Sequence, residues 1–211
     1  MIPARPMTSG DFLTATADYV SRETYSKLQR YAELLAEWQP RINLVSPKTL
    51  PDLWTRHMLD SAQLYPLVRD ARRLVDFGSG AGFPGLVLAI MGVPDVHLVE
   101  SDQRKCVFLN YVSRETKSPV TVHNARIESL PPLHADTVTA RALAPLVDLL
   151  TYALPHLAPG GRAVFLKGAG WQAETEAAGQ QYMFHVKHNP SLTANDGAIV
   201  TLTDISLRAQ G

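Results

Sequence analysis

The segment LVDFGSGAGFPGLVLAI, residues 74–90, constrains the fold more than any other part of the chain. Its apolar start predicts a strand that ends near Asp76 and Phe77, its glycines predict a tight turn, and its apolar end predicts a helix. In such a unit, backbone N–H groups and the N-terminus of the helix face a ligand. The segment therefore predicts an α/β sheet with a ligand site at the carboxyl end of its first strand.

The sequence beyond Arg73 continues this alternation. Strands are predicted over 73–77, 96–100, 120–124, 136–140 and 162–167, and helices over 84–91, 103–112, 145–157 and 171–179. Strands that are apolar on both faces and alternate with helices indicate a parallel sheet covered on both sides. Two later strand patterns, 181–186 and 197–207, are joined only by the polar loop 187–197, so we expect this pair to be antiparallel.

The first 70 residues have a different pattern, which predicts a helical N-terminal extension over 1–70 ahead of one compact unit over 71–211. Apolar residues recur at helical spacing in a first helix that ends at Pro40, and they are Leu28, Tyr31, Leu35 and Trp38. A second helix is predicted from the repeat of Leu50, Leu53 or Trp54, Met58 and Leu64. We expect the aromatic residues Tyr31, Trp38 and Trp54 to belong to the core rather than to a stacking surface.

Composition excludes several classes of protein. The 211 residues are 45% hydrophobic, with 20 Lys and Arg against 20 Asp and Glu, so any nucleic-acid surface must be a local patch. We find no apolar run of the ~18 residues that cross a bilayer and no signal-peptide core, and we therefore expect a cytoplasmic protein. The single Cys106, expected to be a buried small apolar residue, excludes an internal disulfide, and no histidine spacing predicts a metal site.

The glycine turn has two interpretations. Gly80, Gly82 and Gly85 match the dinucleotide spacing G-x-G-x-x-G. Counted from Asp76, the glycines at 78, 80 and 82 instead begin directly behind the strand, as in enzymes that bind S-adenosylmethionine. Both interpretations expect an acidic residue at the end of the next strand to hold the ribose hydroxyls, and Glu100 is there.

The chain resembles the bacterial 16S ribosomal RNA guanine-N7 methyltransferases, the RsmG or GidB family. The resemblance covers most of the chain. Its motifs, in order, are NLVS (43–46), RHMLDS (56–61), DFGSGAGFPG (76–85), VESDQRKCVFL (99–109), ARALAPL (140–146) and LKG (166–168). One departure is Val45, since many members have threonine at the third position of the first motif.

The resemblance implies a Rossmann-like class I S-adenosylmethionine-dependent methyltransferase fold, with a mostly parallel sheet, an antiparallel last strand and the helical extension. It implies methyl transfer to N7 of a guanine in the 530 loop of 16S ribosomal RNA, at position 527, leaving S-adenosylhomocysteine. No metal is implied. The cofactor site implied by the matching motifs, with Glu100 added by the ribose argument, comprises Gly78, Gly80, Gly82, Phe83, Glu100, Ile127, Glu128 and Arg141.

Transfer to N7 needs orientation rather than a general base, because N7 already carries a free lone pair. A cation could then hold the guanine O6 or a neighbouring phosphate. Cations that follow the predicted strands are expected to form a basic patch at the ligand edge, and they are Arg141, Lys167, Arg126, Arg104 and Lys105. His57 and Asn43 are further candidates for the catalytic site. The alternatives are a structural helix histidine paired with Asp60 or a backbone carbonyl, and a helix cap.

Two other functions stay open on the sequence alone. One is a nucleotide-dependent oxidoreductase that uses Gly80, Gly82 and Gly85. The other is a ribosomal RNA-binding assembly factor that holds the cofactor without turnover. We expect the partner to be 16S ribosomal RNA or a small-subunit assembly intermediate, and the chain to be a monomer without membrane association.

Overall fold

The computed structural model describes residues 6–209, which form one sheet with helices on both faces. The strands are β1 Leu74–Phe77, β2 Val96–Glu100, β3 Val120–Asn124, β4 Ala135–Arg141, β5 Leu157–Lys167, β6 Tyr182–Pro190 and β7 Ala198–Leu207. The helices are α1 Ser9–Ala15, α2 Arg22–Trp38, α3 Asp60–Ala62, α4 Tyr65–Val68, α5 Gly85–Ile90, α6 Gln103–Glu115, α7 Leu146–His156 and α8 Trp171–Gly179.

The sheet has the strand order β3-β2-β1-β4-β5-β7-β6, and only β7 runs antiparallel to its neighbours. This confirms the predicted class, including the antiparallel last strand. The order reverses direction at β1, because β2 lies on one side of it and β4 on the other. Ligands bind at such a reversal, beyond the carboxyl ends of the strands, and the glycine turn after β1 lies there.

Two hydrophobic clusters cover the two faces of the sheet. One joins α5 and α6 to the N-terminal helices, and the other joins α7 and α8 to the opposite face. Tyr31 of α2 is fully buried in the first cluster, stacks on Phe83 at 5.3 Å between ring centroids, and donates a hydrogen bond to the carbonyl of Ala81. The core assignment of Tyr31 is confirmed, and the half-buried Trp38 and Trp54 pack against the same cluster.

The N-terminal region differs from the prediction in two ways. Helix α1, which was not predicted, begins after a capping box between Thr8 and Asp11. The second predicted helix is present, and residues 50–62 are helical without a break. Its geometry changes along its length, from a 3₁₀ turn at Leu50–Asp52 to a π-helical segment at Trp54–Leu59 and then α3. A turn at 63–64 separates it from α4, which has a proline in its first turn.

The C-terminal loop is shorter than predicted. Strand β6 continues to Pro190 because residues 187–190 pair with Ala198–Thr201 of β7, so the prediction of loop at 187–190 is wrong. The remaining loop, 191–197, is closed by a hydrogen bond from the Ser191 amide to the carbonyl of Gly197. Across residues 6–209 we find no helix with the length and apolar character to cross a membrane.

Candidate active site

The turn after β1 has a backbone that requires glycine. Gly78, Gly80 and Gly82 have φ values of 60°, 56° and 104°, which residues with a Cβ rarely adopt. A Cβ on Gly78 would lie 2.7 Å from Cδ1 of Leu143, and one on Gly82 would lie 2.7 Å from the Tyr31 hydroxyl. The turn therefore packs against the buried Tyr31 at Gly82 and against the exposed Leu143 at Gly78.

Asp76, at the end of β1, holds the turn from beneath. Its carboxylate is completely buried and accepts hydrogen bonds from the Thr139 hydroxyl at 2.8 Å and from the Gly85 amide at 3.1 Å. Burial raises the pKa of Asp76 to about 6, against the opposing effect of these hydrogen bonds. The carboxylate thus joins β1, β4 and the start of α5 immediately below the glycines.

Glu100, at the end of β2, lies beside the same turn. Its carboxylate accepts hydrogen bonds from the amides of Gly80 at 2.9 Å and Asp102 at 2.8 Å, and the residue is 8% exposed. Each oxygen has a second lone pair left to accept a hydrogen bond. The position and remaining capacity of Glu100 match the predicted role of a ribose acceptor.

A cavity of about 600 Å³ opens at this edge of the sheet. Its walls come from the glycine turn, the carboxyl ends of β4 and β5, the π-helical segment and the loop 191–197. The predicted site residues on these walls are His57, Gly78, Gly80, Phe83, Arg141 and Lys167. The volume lies within the range of roughly 300–1,000 Å³ typical of small-molecule sites.

Arg141 connects three elements at the mouth of this cavity. Its Nη1 donates to the carbonyl of Arg56 at 2.7 Å and to the carboxylate of Asp60 at 3.2 Å, while Nη2 donates to Nδ1 of His57 at 2.8 Å. Its guanidinium also lies over the Phe83 ring, 5.2 Å from the centroid. Because a guanidinium has five N–H groups, Nε–H and one Nη2–H have no partner among residues 6–209.

His57 is the neutral partner of Arg141. A guanidinium can only donate, so Nδ1 of His57 is the acceptor, and its proton is on Nε2, which lies 2.9 Å from the Thr49 hydroxyl. Burial, followed by the charges of Arg141 and Arg56, lowers the pKa of His57 to about 3. His57 therefore pairs with Thr49 and Arg141, not with Asp60 as the structural alternative proposed.

Lys167, at the end of β5, lies on the opposite wall. Its ammonium donates to the carbonyl of Ala144 at 3.0 Å and forms an ion pair of 2.6 Å with Glu174 of α8. The same Glu174 carboxylate accepts the amide of Leu146, the first residue of α7. Two of the three ammonium protons are thus used within the protein, and one is left for a ligand.

The remaining predicted residues lie outside the walls of the cavity. Glu100 contacts the turn through the Gly80 amide, and Gly82 belongs to the turn, but neither lines the cavity; Asn43 is exposed next to the cavity residue Leu44. Ile127 is buried in the cluster under α7, whereas Glu128 and Arg126 are exposed beside it. Of the five cations expected to converge, only Arg141 and Lys167 line this cavity; Arg104 is paired with Asp102 at 3.0 Å, and Lys105 does not reach it.

Two residues on the walls of the cavity were not predicted, and they are Glu174 and Thr193. Asp60 was considered only as a partner of His57, whereas it pairs with Arg141. Glu174 and Thr193 lie in segments without any recognised motif. Their contacts join residues far apart in sequence, such as Thr193 with Asp60, and only the folded topology brings them together.

The site fits S-adenosylmethionine on its own geometry. Gly78 and Gly80 line the cavity, and Glu100, which accepts the Gly80 amide, is positioned to accept ribose hydroxyls at the same turn. Asp102, the N-cap of α6, is engaged with its own helix and with Arg104, so it is not a second free acceptor. Over residues 6–209, no group of three or more metal-ligating side chains is arranged to hold a metal ion.

Comparisons with known proteins agree with this geometry. Ribosomal RNA small subunit methyltransferase G of Paramagnetospirillum magneticum is 60% identical over 192 residues, covering 90% of this chain and 94% of that protein. The protein of the same name from Rhodospirillum centenum is 49% identical over 208 residues, covering 98% of this chain and 95% of its own length.

Solved structures support the fold. The ribosomal protein L11 methylase of Lactobacillus delbrueckii subsp. bulgaricus superposes with a TM-score of 0.53 at 16% identity, covering 70% of this chain and 78% of that one. The PH0226 protein of Pyrococcus horikoshii superposes with a TM-score of 0.58 at 11% identity, covering 81% and 98%. At such identities the likeness concerns the fold alone.

The family profile matches over residues 24–200 and is described as "GidB: rRNA small subunit methyltransferase G". This span includes the glycine turn, the residues around Arg141 and Lys167, and the loop 191–197. The chain therefore belongs to the rRNA small subunit methyltransferase G family.

Proposed function

We propose that the chain transfers the methyl group of S-adenosylmethionine to N7 of a guanine in the 530 loop of 16S ribosomal RNA. The observation that carries the proposal is that one cavity contains both the glycine turn and the free N–H groups of Arg141. When bound, S-adenosylmethionine supplies an activated methyl group on a sulfonium. Everything else that the reaction needs is orientation of the base, for which no proton transfer is required.

Arg141 orients the guanine in this account. Its two unpartnered N–H groups can donate to the guanine O6 or to a flanking phosphate, which leaves N7 free for the methyl group. The contacts with Arg56, His57 and Asp60 fix the plane of the guanidinium before substrate arrives, and such preorganisation reduces the cost of binding. His57 thus acts as a positioning residue.

Lys167 has a different part in the proposal. Lys167 lines the same cavity as Arg141, and its remaining proton can donate to a phosphate or to O6 of the bound guanine. Its ion pair with Glu174 also keeps the start of α7 in place through the Leu146 amide. Replacement of Lys167 would therefore change both substrate contact and the shape of the wall.

The cofactor contacts are assigned to the turn and its neighbours. Gly78, Gly80 and Phe83 form the near wall, Glu100 accepts the ribose hydroxyls, and Gly82 supports the turn. We assign Ile127 and Glu128 to the outer rim beyond β3. The substrate is 16S ribosomal RNA, either free or in a small-subunit assembly intermediate, and we propose that the chain acts on it as a monomer in the cytoplasm.

The test combines cofactor binding with mapping of the product. Calorimetric titration should detect S-adenosylmethionine and S-adenosylhomocysteine but no NAD. Incubation of labelled cofactor with 16S ribosomal RNA from a strain that lacks this methylation should give 7-methylguanosine at one position in the 530 loop. Binding of NAD without S-adenosylmethionine would favour the oxidoreductase, and cofactor and RNA binding without methyl transfer would favour the assembly factor.

A further inference from the structure

A second cavity, of about 540 Å³, lies on the same face of the sheet as the N-terminal helices, at the far edge from β3. It is bounded by α4 on one side and by β5, β6 and β7 on the other. We call it the edge groove, and its polar lining residues are Arg69, Asp70, Arg162, His185, Lys187, Asn189, Thr201 and Thr203. It shares no lining residue with the cavity at the glycine turn.

The edge groove carries an excess of positive charge. Arg162 is paired with Asp70, and His185 contacts Asp204 at 2.9 Å. Arg69 and Lys187 are both exposed and have no ion-pair partner within residues 6–209. Because Asp70 is paired with Arg162, the single carboxylate of the lining is outnumbered by three cations, on a chain whose formal net charge is zero.

Two polar atoms in the wall of the groove also have no hydrogen-bond partner in the described part of the chain. They are Nε of Arg162 and the hydroxyl oxygen of Thr201. Buried polar atoms nearly always have a partner, from the protein, from water or from a ligand. These two atoms are buried, so they do not themselves face a ligand. The accessible donors of the lining are the Arg69 guanidinium, the Lys187 ammonium and the Asn189 amide, and the two cations indicate that the group bound there is anionic.

The strand β6 connects the groove to the active site. His185, Lys187 and Asn189 alternate along β6 on the groove side, and the strand leads directly into Ser191 and Thr193, which line the catalytic cavity. Only about 10 Å of strand separates Lys187 from the end of β6 at Pro190, at the usual rise per residue. A chain molecule whose one nucleotide occupies the catalytic cavity can therefore continue along β6.

We propose that the edge groove binds backbone phosphates of the RNA substrate, with Arg69 and Lys187 as the principal contacts. This rests on the proposed function, since it takes the RNA to be the molecule held at Arg141. A free phosphate compound would use the same donors, but the exposed lining of Lys187, His185 and Asn189 suits an extended polymer that passes along the surface. An exposed lysine on the edge strand would otherwise serve only to prevent edge-to-edge pairing between chains.

The experiment compares two double variants of equal net charge. Arg69→Gln with Lys187→Gln removes the free cations of the edge groove, and Arg22→Gln with Lys117→Gln removes two exposed cations that line neither cavity. Affinity for unmodified 16S ribosomal RNA is measured from 50 to 300 mM salt. We expect the groove variant to bind about tenfold more weakly at low salt, with a log-log salt slope smaller by roughly 1.4, which is about 0.7 for each lost contact with a single strand.

Three further measurements separate the explanations. The groove variant should keep the affinity for S-adenosylhomocysteine, the melting temperature and kcat at saturating RNA, because it changes neither the glycine turn nor Arg141. Equal losses in the two double variants, or unchanged RNA affinity in both, would overturn the proposal. Binding of inorganic phosphate that depends on Arg69 and Lys187, with RNA affinity unchanged, would assign the groove to a small phosphate compound.

If light scattering shows that the groove variant aggregates while its RNA affinity is unchanged, the role of Lys187 is to prevent pairing between the edge strands of two chains. These outcomes are distinct from failure of the proposed function. Wild-type protein that binds RNA through the groove but transfers no methyl group would contradict the methyltransferase proposal and leave the groove assignment intact.

Discussion

Nη2 of Arg141 donates to Nδ1 of His57 across 2.8 Å, although the two residues are separated by 84 positions in the sequence. This contact joins the end of β4 to the π-helical segment, and both residues line the cavity. The orientation of one guanidinium therefore depends on three neighbours, His57, Arg56 and Asp60.

Replacement of Arg141 should affect transfer rather than cofactor binding. Arg141→Gln should lower kcat by about 10²–10³-fold, the usual effect of one lost preorganised donor, and should leave the affinity for S-adenosylhomocysteine within a few fold. Steady-state kinetics and calorimetry provide the two measurements. Arg114→Gln, an exposed arginine on α6, is the control and should behave as wild type. A change in cofactor affinity equal to the change in kcat would contradict the assigned role.

The low pKa of His57 should produce a pH-dependent stability. The unfolded chain takes up this proton near pH 6.5 and the folded chain only near pH 3, so stability is full above pH 6.5 and decreases as pH falls toward 3. Between pH 7 and 5 the wild type should lose on the order of 2 kcal/mol more unfolding free energy than His57→Asn. Urea unfolding at both pH values measures this difference.

The matched control is His134→Asn, because His134 is exposed and has a φ of 52°, which asparagine tolerates. Its pH dependence should equal that of the wild type. Identical pH profiles for the wild type and His57→Asn would show that His57 is not held neutral by its surroundings.

Two threonines on β4 should respond oppositely to valine. The Thr139 hydroxyl donates to the buried Asp76 carboxylate, so Thr139→Val should destabilise the fold by about 1–3 kcal/mol. The buried Thr137 hydroxyl has no hydrogen-bond partner among the described residues, so Thr137→Val should be neutral or stabilising. Thermal or urea unfolding of the two variants measures the difference. Equal destabilisation by both substitutions would show that the Thr139 hydroxyl does not stabilise the turn through Asp76.

Asp76 itself should act on stability in the opposite direction from His57. Its folded pKa of about 6 lies above the unfolded value of 3.8, so the folded chain binds the extra proton and stability decreases as pH rises from 3.8 to 6. Asp76→Asn should remove this decline while its amide oxygen keeps the contact with the Gly85 amide. A variant that still loses stability over this pH window would assign the effect to another group.

The loop 191–197 should contribute to catalysis through Asp60. Thr193 donates to the Asp60 carboxylate, which in turn pairs with Arg141, so loss of the hydroxyl loosens the guanidinium. Thr193→Val should reduce kcat several fold with cofactor affinity unchanged. Thr193→Ser keeps the hydroxyl, so its kcat should be close to that of the wild type. Equal activity in all three proteins would mean that the loop only covers the cavity.

The sequence predicted the sheet well and the site in part. Strands such as β2 and β3 were predicted to the residue because an apolar run bounded by turn residues is a local signal. The helix predicted over 50–64 is present up to residue 62, but the apolar repeat does not reveal that its middle, Trp54–Leu59, is π-helical. Residues 187–190 became strand only through pairing with β7, a contact that no local pattern encodes.

In the site, too, residues with a local signal were predicted, and contacts between distant segments were not. Arg141 and Lys167 were predicted from their places after strands, and both line the cavity. Arg126 and Arg104 follow strands as well, but the chain turns away from the cavity after β3 and Arg104 is held by Asp102. The contacts of Arg141 with Asp60 and His57 join segments 81 and 84 residues apart, so spacing alone could not have predicted them.

A crystal structure with S-adenosylhomocysteine bound tests the central claim most directly. The account predicts that the ribose hydroxyls contact Glu100, that the ligand lies along Gly78 and Gly80, and that the sulfur faces the space in front of Arg141. A ligand bound elsewhere, or a ribose held without Glu100 and a sulfur directed away from Arg141, would contradict it.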